Sequence, residues 1–337
     1  MQQKKLISLF ISILIITVLG SIAHFSESLI FFWSVIFIIS LYVLIKSADF
    51  FTDSAEKLGA VLGIPSFILG VTIVALGTSL PELITSIISV LKGSSEFVAG
   101  NVIGSNIANI LLIIGIAVLF TKKSLKVEWD LVQIDLPLLM GSAFILLITL
   151  YDGKFSFIEA IACLLGYIVY LLYSISMRKG KGDVKKEKFS ITIPIILFLS
   201  GVGLYYGARY TIDSVIELST LFNFGDTSII ALSAVALGTS LPELVVSISA
   251  ARKMNYEMAV GNVLGSNIFN SFVVMGIPGL MGMLTVSQST LFLGLPMVIL
   301  STLIFIISIQ DREISKYEGL VFLILYALFI VKLFGLV

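Results

Sequence analysis

The sequence is short of the residues that most soluble domains and metalloenzymes depend on. Of its 337 residues one is cysteine, one is histidine, and only 12% carry a charge. The single cysteine, Cys163, excludes a disulfide framework and any multi-thiolate metal centre. It lies in an apolar run, where a free thiol acts as a small hydrophobe. With His24 the only histidine, histidine-ligated zinc and histidine-pair chemistry within the chain are excluded too; His24 reads as an interfacial residue at a helix end. A soluble domain carries about 25% charged residues, so charge at this level cannot cover an aqueous surface. Apolar length takes its place: 58% of the residues are hydrophobic and the mean hydropathy is +1.10. The composition describes an all-α polytopic membrane protein. Because 21 basic and 21 acidic residues cancel, the placement of charge says more than its sum.

A membrane-spanning helix needs about 20 predominantly apolar residues. Eleven segments qualify, at about 6–25, 29–47, 65–91, 96–120, 131–151, 157–177, 190–208, 227–251, 257–282, 290–309 and 317–335. Only Arg178–Lys188, with six basic residues, forms a true linker. It reads as a solvated cytoplasmic loop, with a lipid-headgroup contact as the sharper alternative. Cytoplasmic loops are enriched in Lys and Arg. With the N-terminus inside, 17 of the 21 basic residues fall on the cytoplasmic side, and Lys92, Lys154, Arg209 and Lys332 do not. The expected divisions are an extra N-terminal helix or signal-anchor in 1–28, a first five-helix unit in 29–177, a basic cytoplasmic linker in 178–189 and a second five-helix unit in 190–337. Five spans are an odd number, so the second unit enters the membrane from the opposite side and the repeats are inverted. Lys4 and Lys5 before the first span would also suit a cleaved signal peptide. No clear small-x-small cleavage site follows, so the segment is read as a retained helix.

The repeat is written into the residues. Ile68–Ile116 aligns without a gap with Ile229–Ile277, 161 positions later, and 25 of the 49 pairs are identical. Gly77-Thr78-Ser79-Leu80-Pro81-Glu82 returns as Gly238-Thr239-Ser240-Leu241-Pro242-Glu243. Gly100-Asn101-Val102-Ile103-Gly104-Ser105-Asn106-Ile107-Ala108-Asn109 returns as Gly261-Asn262-Val263-Leu264-Gly265-Ser266-Asn267-Ile268-Phe269-Asn270. Polar chemistry duplicated inside apolar segments points to one ion site built from two halves.

Pro81 has no N–H, so the carbonyl of Gly77 loses its helical partner, and Pro242 does the same to Gly238. In hydrocarbon a stranded carbonyl costs several kcal/mol unless something binds it. Ala75, Thr78 and Glu82 share one helical face by spacing, as do Ala236, Thr239 and Glu243. Ser105 and Asn109 stand one turn apart, as do Ser266 and Asn270; interhelical hydrogen bonding is their plainer role. Gly100, Gly104 and Gly115, with Gly261, Gly265 and Gly276, read as packing residues that let helices approach. Glu82 and Glu243 carry most weight. An acid at midmembrane costs roughly 2.5–3.5 kcal/mol on insertion scales, and no Lys or Arg stands within the four repeated helices to neutralise it. Two protonated glutamates in structural packing are the bland reading; a mobile cation is the sharper one. All the donors are hard oxygens, which disfavours soft metals. Calcium accepts such oxygens in flexible geometry, whereas magnesium dehydrates reluctantly. Two glutamates balance one Ca²⁺ or two Na⁺, and mutually exclusive occupancy of one cavity is the basis of exchange.

On these two doubled motifs the sequence resembles the cation/calcium exchanger superfamily, most closely its prokaryotic sodium/calcium exchangers, over about 30–335. The resemblance implies ten core helices and a central diamond of four. It implies that Glu82, Glu243 and the carbonyls of Thr78 and Thr239 coordinate calcium. Carbonyls of Ala75 and Ala236, with Ser79, Ser240, Ser105 and Ser266 and the same Glu and Thr residues, would form sodium sites. Asn109 and Asn270 would line the centre. The first and sixth core helices, 29–58 and 190–218, would slide to alternate access; there Asp53-Ser54 and Asp213-Ser214 echo each other. Some relatives carry an acid at the position of Asn270. Asparagine at both 109 and 270 leaves two carboxylates and argues against potassium co-transport.

The expected activity is thus Na⁺/Ca²⁺ antiport, electrogenic at about three Na⁺ per Ca²⁺ by the resemblance, exporting Ca²⁺. H⁺/Ca²⁺ or other cation/proton exchange is the alternative; a channel and an intramembrane protease are further ones, and no enzyme activity is expected. No cofactor is called for. The partners are Ca²⁺, Na⁺ and the lipid bilayer, without nucleic acid, and the chain is read as a monomer. Its place is the cell membrane, multi-pass, with N-terminus and basic loop cytoplasmic.

Overall fold

The computed structural model describes residues 29–121, 123–127, 135–177, 189–221 and 238–335. The expected helix at 6–25 with His24, the basic linker 178–188, Ala236 and the first half of the span at 227–251 lie outside the described residues.

Within the described residues the chain folds into ten helical rods. They are α1 Leu29–Leu62, α2 Ser66–Leu91, α3 Glu96–Leu119, α4 Asp135–Leu150, α5 Phe157–Met177, α6 Thr192–Leu221, α7 Leu241–Arg252, α8 Tyr256–Met281, α9 Thr290–Ser308 and α10 Lys316–Leu333. Seven of them are long and apolar enough to cross a membrane. Local sequence explains the ends. Gly63 at φ +64 terminates α1, with the Ile64 N–H reaching back to the Gly59 carbonyl at 2.8 Å, a glycine-capped end. Asn255 caps α8 by accepting from the Met258 N–H, and Ser315 with Glu318 forms a capping box on α10.

Two features go beyond the apolar windows. The apolar windows stop at about 47 and 208, yet α1 runs to Leu62 and α6 to Leu221. Asp49, Asp53 and Glu56, like Arg209, Asp213 and Glu217, end an apolar run without ending a helix, because a solvated helix face tolerates charge. The second feature is four short strands: β1 Ser124–Lys126, β2 Lys154–Phe155, β3 Leu284–Thr285 and β4 Glu313–Ser315. β1 pairs antiparallel with β4, Leu125 opposite Ile314, and β2 with β3, Phe155 opposite Leu284. Each pair joins the two halves of the sequence.

The core lies where α2, α3, α7 and α8 meet; α3 and α8 are almost wholly enclosed, whereas α1 and α5 show most of their surface. α8 crosses α2 backbone to backbone. A methyl group added to Gly261 would sit 2.7 Å from the Phe67 carbonyl oxygen, and one on Gly265 2.5 Å from that of Val71. Only glycine permits this approach. π-helical turns interrupt α2 at Gly70–Val74, α3 at Ala108–Ile114 and α8 at Asn270–Val274. Such turns rotate the following residues out of α register, here beside the repeated polar blocks.

Candidate functional site

Every sequence-predicted site residue within the described regions is buried in one place. Glu82, Glu243, Thr78, Ser79, Ser266 and Asn270 have no exposed surface, and Ala75, Ser105, Asn109, Thr239 and Ser240 are also buried. Ala236 lies outside the described residues.

The hydrogen bonds cross between repeats and recur in pairs. The Ser79 hydroxyl donates to Glu243 Oε1 at 2.8 Å and lies 2.9 Å from Ser266 Oγ. Its counterpart Ser240 donates to Glu82 Oε1 at 3.5 Å and lies 3.2 Å from Ser105 Oγ. Thr78 donates to Asn262 Oδ1 at 3.0 Å, and Thr239 to Asn101 Oδ1 at 3.4 Å. Each carboxylate is therefore served by a serine of the opposite repeat. Pro81 stays inside continuous helix from Ala75 to Leu91. Pro242 behaves differently: the chain turns at Ser240 and α7 begins again at Leu241, putting Glu243 in its first turn. A carboxylate there meets the positive end of the helix.

Sequence reasoning missed part of the frame. Asn101 donates to the Glu82 carbonyl at 3.4 Å and to Ser86 Oγ at 3.1 Å; Asn262 does the same to the Glu243 carbonyl at 3.4 Å and Ser247 Oγ at 2.9 Å. Asn106 and Asn267 exchange amide-to-carbonyl bonds, each 3.3 Å. All four asparagines stood inside the repeated blocks, so the doubling that marked Asn109 and Asn270 marked them equally. Asn109 turns to Asn267 Oδ1 at 2.9 Å rather than to a glutamate. Phe51 of α1 packs against Gly77 and Ile212 of α6 against Gly238, so each Gly-Thr-Ser motif has an apolar side chain over it.

Several buried polar atoms meet no hydrogen-bond partner among the described residues: Glu82 Oε2, Glu243 Oε2, Asn106 Oδ1, Asn109 Oδ1, and both amide atoms of Asn270. No Lys or Arg pairs with either glutamate among the described residues. Nor do the described residues contain a cluster of three or more His, Cys, Asp and Glu side chains. Leaving such atoms unmet costs about 1–3 kcal/mol each, more for charged groups. Most of them are hard oxygens, which suits an unsoftened cation in a dehydrated site.

Comparison with known proteins shows the family of the chain. The family model described as sodium/calcium exchanger protein matches residues 32–176 and 192–335. Sodium/calcium exchanger MaX1 of Methanosarcina acetivorans is 34% identical, over 89% of this chain and 97% of its own. Inner membrane protein YrbG of Escherichia coli is also 34% identical, over 72% of this chain and 78% of its own. The solved structure of the sodium-calcium exchanger NCX_Mj, soaked with Na⁺ and Sr²⁺, superposes with a TM-score of 0.78 at 26% identity, covering 89% of this chain and 98% of that one. The fold and family thus define a multi-pass helical membrane transporter, not an enzyme, of a family whose ions are cargo and not cofactors. The chain belongs to the sodium/calcium exchanger protein family.

Proposed function

We propose that this protein is a Na⁺/Ca²⁺ antiporter in which either one Ca²⁺ or a set of Na⁺ ions neutralises Glu82 and Glu243. The observation that carries the reading is the pair of fully buried glutamates, each with one oxygen that no described donor meets. Glu82 and Glu243 with the backbone carbonyls of Thr78 and Thr239 hold calcium. Ser79, Ser105, Ser240 and Ser266, with the carbonyls of Ala75 and Ala236, complete the sodium sites, and Asn109 and Asn270 line the space between. An empty site holds two bare carboxylates in a poor dielectric, which opposes its crossing the membrane. That penalty enforces exchange over leak.

The chain is divided into two inverted five-helix repeats, 29–177 and 190–337, joined by the linker 178–189 and preceded by an extra helix in 1–28. Its N-terminus and linker are cytoplasmic and it works as a monomer. With about three Na⁺ per Ca²⁺ and only two carboxylates, one charge crosses per cycle, and the sodium gradient drives calcium out. Radioactive calcium uptake into proteoliposomes, under Na⁺, K⁺ or H⁺ gradients imposed one at a time, tests this. Uptake follows an outward Na⁺ gradient and responds to membrane potential. Uptake that follows only the H⁺ gradient would replace sodium with protons in the cycle.

A further inference from the structure

Away from the ion site, one polar cluster ties α1 to the turn between α7 and α8. Lys253 Nζ donates to the Asp49 carbonyl at 2.9 Å, to Thr52 Oγ1 at 2.5 Å and to Asp53 Oδ1 at 2.8 Å, which uses all three ammonium protons. Beside it Ser249 donates to Asp49 Oδ1 at 2.9 Å and Asn255 to Glu56 Oε1 at 2.6 Å. Met254, next to Lys253, holds φ at +62, a conformation that side chains disfavour.

The sequence places matching groups at the other end of the molecule. Lys92 stands 161 positions before Lys253, and the turn there carries Gly93 at φ +79 where the other has Met254. Asp213-Ser214 of α6 echoes Asp53-Ser54 of α1. Yet Lys92 is exposed and pairs with no described residue, and among the described residues Asp213 forms an ion pair only with Arg209, one turn back in its own helix, at 3.8 Å.

The seams differ in the same sense. α1 seats firmly on α7, whereas α6 touches α2 only sparsely. A largely apolar cavity of about 390 Å³ lies between α6 and α2, bordered by Leu76, Leu80 and Ile84 on one side and Phe198 and Tyr205 on the other. α1 and α6 pack along each other in opposite directions: Thr211 donates to Ser40 at 2.9 Å, and a methyl group on Gly207 would sit 2.9 Å from the Leu44 Cα. They form one unit with Asp53 and Asp213 towards opposite ends.

We propose that the protein carries two mirror-related ionic latches that close alternately: Lys253 to Asp53, closed here, and Lys92 to Asp213, open here. A slide of the α1–α6 unit along the membrane normal that carries Asp213 to Lys92 also withdraws Asp53 from Lys253. The latches are positioning residues, and the inference rests on the alternating exchange proposed above.

Paired cysteines in the full chain test it in proteoliposomes, the buried Cys163 being left in place. Asp53→Cys with Lys253→Cys, and separately Asp213→Cys with Lys92→Cys, are treated with a short bifunctional thiol reagent. Each pair cross-links in part of the population, and a variant carrying all four cysteines does not form both links in one molecule. Asp53→Asn raises the yield of the Lys92→Cys/Asp213→Cys link severalfold, and Asp213→Asn does so for the other pair. Exchanging the charges, Asp53→Lys with Lys253→Asp, returns the yields to those of the parent. Both links in a single molecule, or a second pair that never forms while the first does, overturns the proposal. Calcium flux in the unaltered chain is measured alongside. Its failure to follow sodium sinks the exchange reading and leaves the link pattern untouched, so the two failures stay apart.

Discussion

From α2, Ser79 reaches Glu243 of α7 at 2.8 Å and Thr78 reaches Asn262 of α8 at 3.0 Å; from the turn before α7, Ser240 reaches Glu82 of α2 at 3.5 Å and Thr239 reaches Asn101 of α3 at 3.4 Å. The residues are identical, so the difference is not chemical. It accompanies two other inequalities: helix continues through Pro81 but restarts at Leu241 before Pro242, and Asn109 has a described partner where Asn270 has none. Duplicated sequence has taken two unequal arrangements, one tight and one slack. A site in which both halves fitted equally well would favour neither side of the membrane. Inequality of this kind is what a binding site needs if it is to open to each side in turn.

Substitutions can break or sharpen that comparison. The largest effect falls where the halves should be equal. Glu82→Gln and Glu243→Gln each remove one of the two carboxylates proposed to hold the cation, and each lowers sodium-driven calcium uptake by about 100-fold or more, since losing a charged partner in a buried site costs about 3–5 kcal/mol. Full activity in either variant rejects the shared site. Next comes the packing of the tight half. Gly265→Ala forces a methyl group against the Val71 carbonyl and destabilises the fold by about 1–3 kcal/mol, read as a lower midpoint of thermal unfolding in detergent. A smaller effect separates the two serines. Ser79→Ala removes a short bond to a carboxylate, worth about 1.5–3 kcal/mol, and weakens half-saturation by calcium about tenfold. Ser240→Ala removes a long bond and changes it by less than about threefold. Equal losses at both serines would dissolve the distinction between tight and slack halves. Smallest are the turns: Gly93→Ala costs about 1 kcal/mol because φ there is left-handed, whereas Met254→Gly relieves the matching strain. Unfolding midpoints that move in the same direction would contradict it.

Much of this was legible beforehand, for an identifiable reason. Gly77 to Glu82 and Gly100 to Asn109 return 161 positions later, and repetition of costly groups in apolar surroundings requires a common purpose. Burial of Glu82 and Glu243 followed from their neighbours alone. The lengths of α1 and α6 did not follow from the apolar windows, because Asp49, Asp53 and Asp213 look like the end of a span while the backbone continues unbroken past them; the family resemblance had placed these helices at 29–58 and 190–218. Pairing of β1 with β4 and β2 with β3 was hidden by strands of two or three residues, too short to show a period. Asn101, Asn106, Asn262 and Asn267 lay in plain view within the repeated blocks. Their task of steadying Glu82, Glu243 and each other depends on contacts from another helix.

The sequence by itself determined the class of molecule, the family, the doubled motif and the two acids at its centre, since these depend on composition, order and the energetics of placing polar groups in hydrocarbon. Only the tertiary structure decided that Ser79 serves Glu243 and Ser240 serves Glu82, that one half is tight and the other slack, and that Lys253 holds α1 while Lys92 pairs with no described residue. Two stretches of nearly the same sequence have nearly the same local preferences. What distinguishes them is which neighbours long-range packing brings near, and that is a property of the assembled bundle, not of either stretch.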